Sequence, residues 1–384
     1  MKISINALFL QYPTTGSGQY LTNLTKALAE IDNHNEYVLL GPQPTPYAND
    51  LPLPYQVHPV SRFVQRRKNI AKVFWEQFTC PVAARVAKAD LLHIPYFAAP
   101  LIPHTPTVVT IQDVIPLRLS AYRPSGKVNM YMNLIARAVH HATMIITISQ
   151  HARQDIIDML HIPSERIRVI YQAVGEEYQP VMNQEQIKAA RKRYGLGERY
   201  IFYIGGLDQR KNVPQLVRAF AHLQAQIGDP HLQLFISGNP DKQKGPLFPD
   251  PRPVAADLGM SGQIIYRFVE EEDKPAIYSG ASLFVFPSIY EGFGLPPLEA
   301  MACGTPVVCS NRTSLPEVVG DAAVTVDPDD THALVSAIYR ALTDESLQTY
   351  LRTRSLERAK QFSWRKTAQD TLAVYEETLA RKKI

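Results

Sequence analysis

The 384 residues of the chain predict two doubly wound α/β domains of similar size, set in series. Three observations carry this. The chain is longer than one hydrophobic core usually supports. Short β-rich runs alternate with helical patterns through both halves, the pattern of parallel sheets covered by helices on both faces. After a polar break at residues 175–197, which contains Pro180, the same alternation starts again at 200–204.

In the first half, strands are expected at 3–6, 37–40, 91–94, 107–111, 144–148 and 167–170, with helices at 19–31 and 130–141 between some of them. The polar break carries a helix at 184–194. In the second half, strands are expected at 200–204, 232–237, 264–266, 283–286, 306–309 and 323–326. The run 200–204 leads into Gly205-Gly206 much as 3–6 leads toward Gly16-Ser-Gly18. The expected domains are therefore 1–175 and 176–362, the latter including the linker, followed by a last segment at 363–384. Ligands of doubly wound sheets bind beyond the carboxyl ends of the strands. The expected site is a cleft across which the two domains face one another.

Composition excludes several classes. The chain is 45% hydrophobic and 20% charged, an ordinary globular balance without low-complexity tracts. Cys80, Cys303 and Cys309 have no paired spacing, which argues against disulfides and structural zinc and suits a cytoplasmic setting. The first residues read as a strand rather than a signal peptide, and no run of 18 apolar residues exists. The net charge of +4 is too small to imply nucleic-acid binding. It is unevenly spread: residues 1–175 carry 16 Lys/Arg against 10 Asp/Glu. Much of that excess lies between Arg62 and Lys88, interleaved with Phe63, Val64, Val73, Phe74, Trp75 and Phe78. Residues 62–88 thus read as an amphipathic helix with a solvated basic face, or as a peripheral seat on anionic lipid at the inner face of a membrane.

The strongest local signal runs from Phe284 to Val308. It reads as strand, the glycine loop Gly292-Phe-Gly294, a short helix opened by Pro296 or Pro297, a stop at Gly304, and a second strand. A glycine loop delivering backbone N–H groups to a helix N-terminus suits a diphosphate. Glu291 and Glu299 bracket it without sharing a helical face, so each can take different hydroxyls. A simple strand-to-helix turn with an acid at the helix N-terminus is the plain alternative for either residue.

The spacing Glu291-x7-Glu299, with Gly-Phe-Gly-Leu-Pro between and Glu-Ala-Met-Ala-Cys-Gly-Thr-Pro-Val-Val following, resembles family 4 of the retaining glycosyltransferases, and the resemblance extends over nearly the whole chain. It implies a GT-B fold, a nucleotide-sugar donor, a glycan or lipid-linked acceptor, no metal or other cofactor, and a final helix that returns to the first domain. By the family pattern Glu291 contacts the transferred sugar. The backbone of Gly292, Phe293, Gly294 and Leu295 meets sugar and phosphate, and Glu299 holds the ribose. Gly205-Gly-Leu-Asp-Gln-Arg-Lys-Asn212 resembles the loop that neutralises the leaving diphosphate. Many relatives carry Arg at position 206, so Arg210 and Lys211 bear more of that role here. Gly16 and Gly18 resemble the first-domain loop that closes over the diphosphate. Where the family usually has His-Asp, this chain has Gln112-Asp113; Gln112 can hydrogen-bond a sugar but cannot titrate near neutral pH. His93 and Tyr96, after the strand at 91–94, are acceptor-side candidates together with Asp113.

Resemblance to bacterial enzymes that build surface polysaccharides points to GDP-mannose as donor, with a UDP-sugar second. A sugar-nucleotide 2-epimerase and a non-catalytic nucleotide-sugar binding subunit are the rival readings. A nicotinamide dehydrogenase is disfavoured because neither glycine loop gives Gly-x-Gly-x-x-Gly with an acid about 20 residues on. Asp327-Pro-Asp-Asp330 is expected to cap a helix rather than bind metal, and His140-His141 to end one.

Overall fold

The computed structural model describes residues 1–241 and 244–381; the Arg62 side chain also lies outside the described residues. The chain divides into two compact units. Residues 1–172 with 363–384 form the first, and residues 173–362 the second.

The first unit is built on a parallel sheet of seven strands: β1 (Lys2–Asn6), β2 (Glu36–Gly41), β3 (Tyr55–Val57), β4 (Leu91–Ile94), β5 (Thr107–Ile111), β6 (Met144–Thr147) and β7 (Ile167–Val169). Their order is β3-β2-β1-β4-β5-β6-β7. β1 pairs Ile3 with Tyr37 on one side and with Leu91 on the other, so the strand order reverses between β1 and β4. The buried β4 and β5 read as unbroken apolar or small runs because helices cover both faces. β3 was not expected from sequence. It is a three-residue edge strand with Gln56 and Val57 exposed, so no apolar alternation marks it.

The helix expected at 19–31 begins three residues earlier, at Gly16–Ile31, because Thr15 caps it by accepting a hydrogen bond from Gly18 N at 3.2 Å. Gly18 is therefore in the first turn, where a Cβ would come within 2.2 Å of Tyr12 O. Close approach of two backbone segments requires glycine here. The final helix, Trp364–Arg381, packs on this unit: Trp364 meets Tyr20 edge-on, Thr367 Oγ1 donates to Tyr171 O, and Arg168 pairs with Glu377.

The second unit carries six parallel strands: β8 (Tyr200–Ile204), β9 (Gln233–Ser237), β10 (Ile264–Tyr266), β11 (Leu283–Phe286), β12 (Val307–Ser310) and β13 (Val324–Val326), in the order β10-β9-β8-β11-β12-β13. The reversal falls between β8 and β11. Phe202, Phe235, Phe284 and Phe286 are fully buried and fill this sheet's core with ring contacts. Asp330 caps the helix Thr331–Thr343 through Ala333 N, and Asp327 and Asp329 pair with Arg312. Among the described residues no helix is long and apolar enough to cross a membrane.

Candidate donor site

The loops that leave β8 and β11 flank the strand-order reversal of the second sheet, the place where doubly wound folds bind ligands. They are tied together by backbone: Ile289 N donates to Arg210 O at 2.6 Å, and Ser288 Oγ donates to the same carbonyl at 3.0 Å. This docking brings four charged side chains into one cluster. Lys211 Nζ lies 2.6 Å from Glu291 Oε1, Arg210 Nη1 lies 2.9 Å from Glu291 Oε2, and Arg210 Nε lies 3.0 Å from Asp208 Oδ1. Ser288 Oγ adds a hydrogen bond of 2.6 Å to Glu291 Oε1, and Lys211 Nζ sits 4.8 Å from the centre of the Phe286 ring.

Asp208, Lys211 and Glu291 are all buried. Burial by itself would raise the Glu291 pKa. Lys211 and then Arg210, with hydrogen bonds from Lys211 and Ser288, outweigh it and hold the carboxyl below its ordinary range. The four side chains carry two positive and two negative charges. In the free chain, then, the cations are already compensated, and one of their partners is the very carboxylate expected to meet sugar.

The glycine loop is shaped by backbone that only glycine adopts readily. Gly294 has φ 123°, and a Cβ there would lie 2.7 Å from Leu315 Cδ2. The helix Leu295–Ala302 follows, and Gly304, with φ 73°, stands just past its end. Pro296 and Pro297 carry no N–H, so the opening helical turn offers an anion the amides of Gly294 and Leu295 rather than a full set. Phe293 is buried and packs edge-on against Phe362, which anchors the loop.

Ser314, Thr313 and Asp208 were not singled out from sequence. Ser314 Oγ donates to the carbonyls of both Glu291 and Phe293, at 3.0 and 2.6 Å, and Thr313 Oγ1 accepts from Glu291 N at 3.0 Å. Thr313 does so at φ 58°, a conformation rare for a β-branched residue and characteristic of sites where structure over-determines the backbone. No sequence pattern announces such a residue.

Glu299 sits apart from Glu291, in the helix, with the Tyr278 hydroxyl donating to its Oε2 at 2.7 Å. Burial raises its pKa, opposed by Lys274 and by that hydroxyl. The two acids of the motif thus have opposite electrostatic characters.

The candidates of the first unit form no comparable cluster. Ser17 Oγ donates to Gln112 Oε1 at 3.2 Å, which joins the glycine turn to the residue after β5, while Gln112 Nε2 is buried without a partner. Asp113 Oδ1 accepts at 3.0 Å from the N–H of Ile115, the first residue of the short helix Ile115–Arg118. His93 and Tyr96 correct the expectation of an acceptor-facing pair. His93 lies within β4, fully buried, with Nδ1 2.7 Å from the Tyr375 hydroxyl and Nε2 2.8 Å from Thr110 Oγ1. Burial lowers its pKa to about 3, so it is neutral. Tyr96 is buried, and its hydroxyl accepts from Asn6 Nδ2 at 3.0 Å. His93 belongs to a strand covered on both faces, so its side chain points into packed interior whichever face it takes, and Tyr96, two residues past that strand, turns inward to Asn6.

Comparison with known proteins agrees with this arrangement. Residues 14–178 match the family described as Glycosyltransferase Family 4, and residues 184–358 match Glycosyl transferases group 1. The chain is similar to the O-antigen chain mannosyltransferase B of Escherichia coli, 32% identical over 98% of this chain and 99% of the relative. It is 36% identical over 68% of its length to the serotype-specific mannosyltransferase WbdA of the same organism, of which it covers 32%. Among solved structures, the sucrose-phosphate synthase of Thermosynechococcus elongatus superposes with a TM-score of 0.74 over 99% of this chain and all of the other, at 20% identity. Alr3699/HepE of Anabaena, solved with UDP and glucose, gives 0.74 over 98% of this chain and all of the other, at 18% identity. The fold is GT-B. A glycine loop bracketed by Glu291 and Glu299 and a basic pair docked on it, carried on a chain matched from end to end, make this protein a member of glycosyltransferase family 4.

Proposed function

We propose that the chain is a retaining mannosyltransferase that moves mannose from GDP-mannose to a glycan or lipid-linked acceptor in polysaccharide assembly, without a metal. The observation that carries the donor half is the cation pair at Glu291. A diphosphate entering over Gly294 and Leu295 would take Arg210 and Lys211 as its counter-charges, and Glu291, released from them, would accept hydrogen bonds from the sugar's hydroxyls. Glu299 would hold the ribose. Mannose and O-antigen assembly come from the relatives' names, and the near-complete coverage of the first of them supports the transfer.

In this reading the sugar C1–O bond to phosphate breaks with its electron pair going to the leaving oxygen. The acceptor hydroxyl attacks C1 from the same face, and its proton passes to that phosphate oxygen, so no protein base is needed. The protein contributes stabilisation of charge on the diphosphate, roughly 2–4 kcal/mol for each well-placed donor. Thermal-shift screening against GDP- and UDP-sugars tests the donor: selective stabilisation by GDP-mannose is expected, and selective stabilisation by a UDP-sugar would replace it. NMR of the product's anomeric carbon tests retention. Lys211→Ala should cut turnover at least about tenfold, a barrier change of about 1.4 kcal/mol; unchanged turnover would remove the basic pair from the mechanism. Proton exchange into the donor without an acceptor would favour the epimerase, and binding without turnover across an acceptor panel would favour a binding subunit.

A second observation supports a peripheral membrane seat. Helix Lys68–Phe74, the wider turn Trp75–Thr79 and helix Cys80–Val86 follow one another, and Ile70, Phe74, Phe78, Val82 and Val86 are all exposed. Residues four apart drift about 40° around an α-helix. The i→i+5 turn takes back part of that drift and keeps the apolar row on one side. Phe63, 93% exposed, and the exposed Arg66, Arg67, Lys68, Arg85 and Lys88 flank it. We infer binding to anionic bilayers. Co-sedimentation with phosphatidylglycerol vesicles, weakened by Phe78→Ser, is expected; equal binding of both forms would remove this face from the membrane.

A further inference from the structure

We propose that a pocket at the carboxyl ends of β1, β2 and β3 in the first unit is a saccharide subsite that takes sugar residues of the acceptor. This rests on the reading of the chain as a transferase acting on a glycan. It replaces His93 and Tyr96, which the fold buries.

The pocket encloses about 780 Å³, within the range of small-molecule sites, roughly 300–1,000 Å³. Its walls hold aromatic rings, Phe9 and Tyr12 among them, side-chain amides that include Gln11, Gln43 and Asn69, and two ammonium groups, Lys68 and Lys72. No Asp or Glu lines it among the described residues. Such a wall suits a polyhydroxylated ring. The C–H face of a pyranose lies on an aromatic ring, while planar amides each offer a donor and an acceptor to neighbouring hydroxyls. A cationic ligand would find no counter-charge.

Parts of the wall are held in place before any ligand arrives. Phe9 meets Tyr12 edge-on, with centroids 6.2 Å apart, and is braced by Tyr96 at 4.6 Å. Tyr96 in turn is fixed by Asn6, whose side-chain oxygen also accepts from Trp75 Nε1 at 3.0 Å. Gln43 Nε2 donates to Gln11 Oε1 at 2.9 Å, and Gln11 Nε2 is shielded from water with no partner. Lys72 is confined over the Tyr131 ring at 4.8 Å, with Glu76 Oε1 3.7 Å away. Tyr12, by contrast, is 51% exposed and open to contact. Preorganised amides beside an exposed ring keep the ordering cost of binding low.

The test measures binding apart from transfer. α-Linked mannotriose, maltotriose and GDP are titrated separately, by saturation-transfer NMR and calorimetry, into wild type, Tyr12→Ala, Gln43→Ala and Asn69→Ala. At least one trisaccharide should bind wild type, and each substitution should weaken it by about fivefold or more, while GDP affinity stays constant and so reports a folded second unit. Absence of trisaccharide binding, or equal binding by wild type and Tyr12→Ala, would overturn the subsite. Loss of GDP affinity in these variants would make the pocket a nucleotide site and overturn it as well. Trisaccharide binding that depends on Tyr12, together with no transfer from any nucleotide sugar, would sink the proposed function and leave the subsite standing.

Discussion

The second unit gathers Asp208, Arg210, Lys211 and Glu291 where its strand order reverses, and three ion pairs link them in a row from Asp208 through Arg210 and Glu291 to Lys211. The first unit, at its own reversal between β1 and β4, places a neutral His93 bonded to Tyr375 and Thr110, and a Gln112 bonded to Ser17. Two sheets of the same design therefore hold different chemistry. Charges kept out of water act strongly and must be compensated by the protein until a ligand takes over. Neutral amides and rings need no such compensation and can be presented to a sugar directly.

The sharpest way to break this contrast is Glu291→Gln. It leaves the buried Lys211 without its carboxylate and should lower the unfolding free energy by about 3 kcal/mol at pH 7, read by chemical denaturation. Glu299→Gln should be neutral or stabilising under the same conditions, since burial raises that carboxyl's pKa. The signs differ with pH too. Glu291, lowered in the fold, contributes stability above the ordinary carboxylate range that is lost as pH falls through its lowered value. Glu299, raised, contributes stability below that range that is lost as pH rises through its raised value. Equal effects of the two substitutions would erase the distinction between the motif's acids.

Ligand exchange gives the next test. Glu291→Gln should cut turnover at least about tenfold and yet bind GDP more tightly than wild type, because the cations lose their internal partner. Weaker GDP binding would show that Glu291 does not compete with the diphosphate.

In the first unit, His93 stays neutral in the fold down to about pH 3 but takes up a proton near pH 6.5 when unfolded. Its contribution to stability is full above about 6.5 and falls by on the order of 1 kcal/mol per pH unit as pH drops toward its folded value. His93→Gln should remove that slope from a comparison of denaturation at pH 7 and pH 5 and leave turnover unchanged. An unaltered slope would mean that the ring is not neutral and buried as described.

The smallest effect belongs to Gln112→Ala. As a neutral hydrogen-bonding residue it should change turnover by no more than about tenfold, roughly 1.4 kcal/mol, without altering the pH–rate profile. A changed profile would assign Gln112 a part in proton transfer.

Much of this protein is legible in its sequence, for physical reasons. Parallel strands buried on both faces must be short apolar runs, so β5, β8 and β11 have the bounds expected from pattern alone. Gly294 and Gly304 announce themselves because positive φ excludes most other residues. The motif from Glu291 to Glu299 declares the donor loop, since its glycines, prolines and acids lie within nine consecutive residues. Only the tertiary structure decided which side chains meet across that loop. Ser314 and Thr313 serve Glu291 from beyond β12, and nothing local marks them. It also decided that His93 is interior and that the ring of Tyr12 is open, because exposure depends on what the rest of the fold lays over a residue. Sequence fixes backbone conformation where few residues can adopt it, whereas side-chain partnership across distant segments is decided by how the sheet brings those segments together.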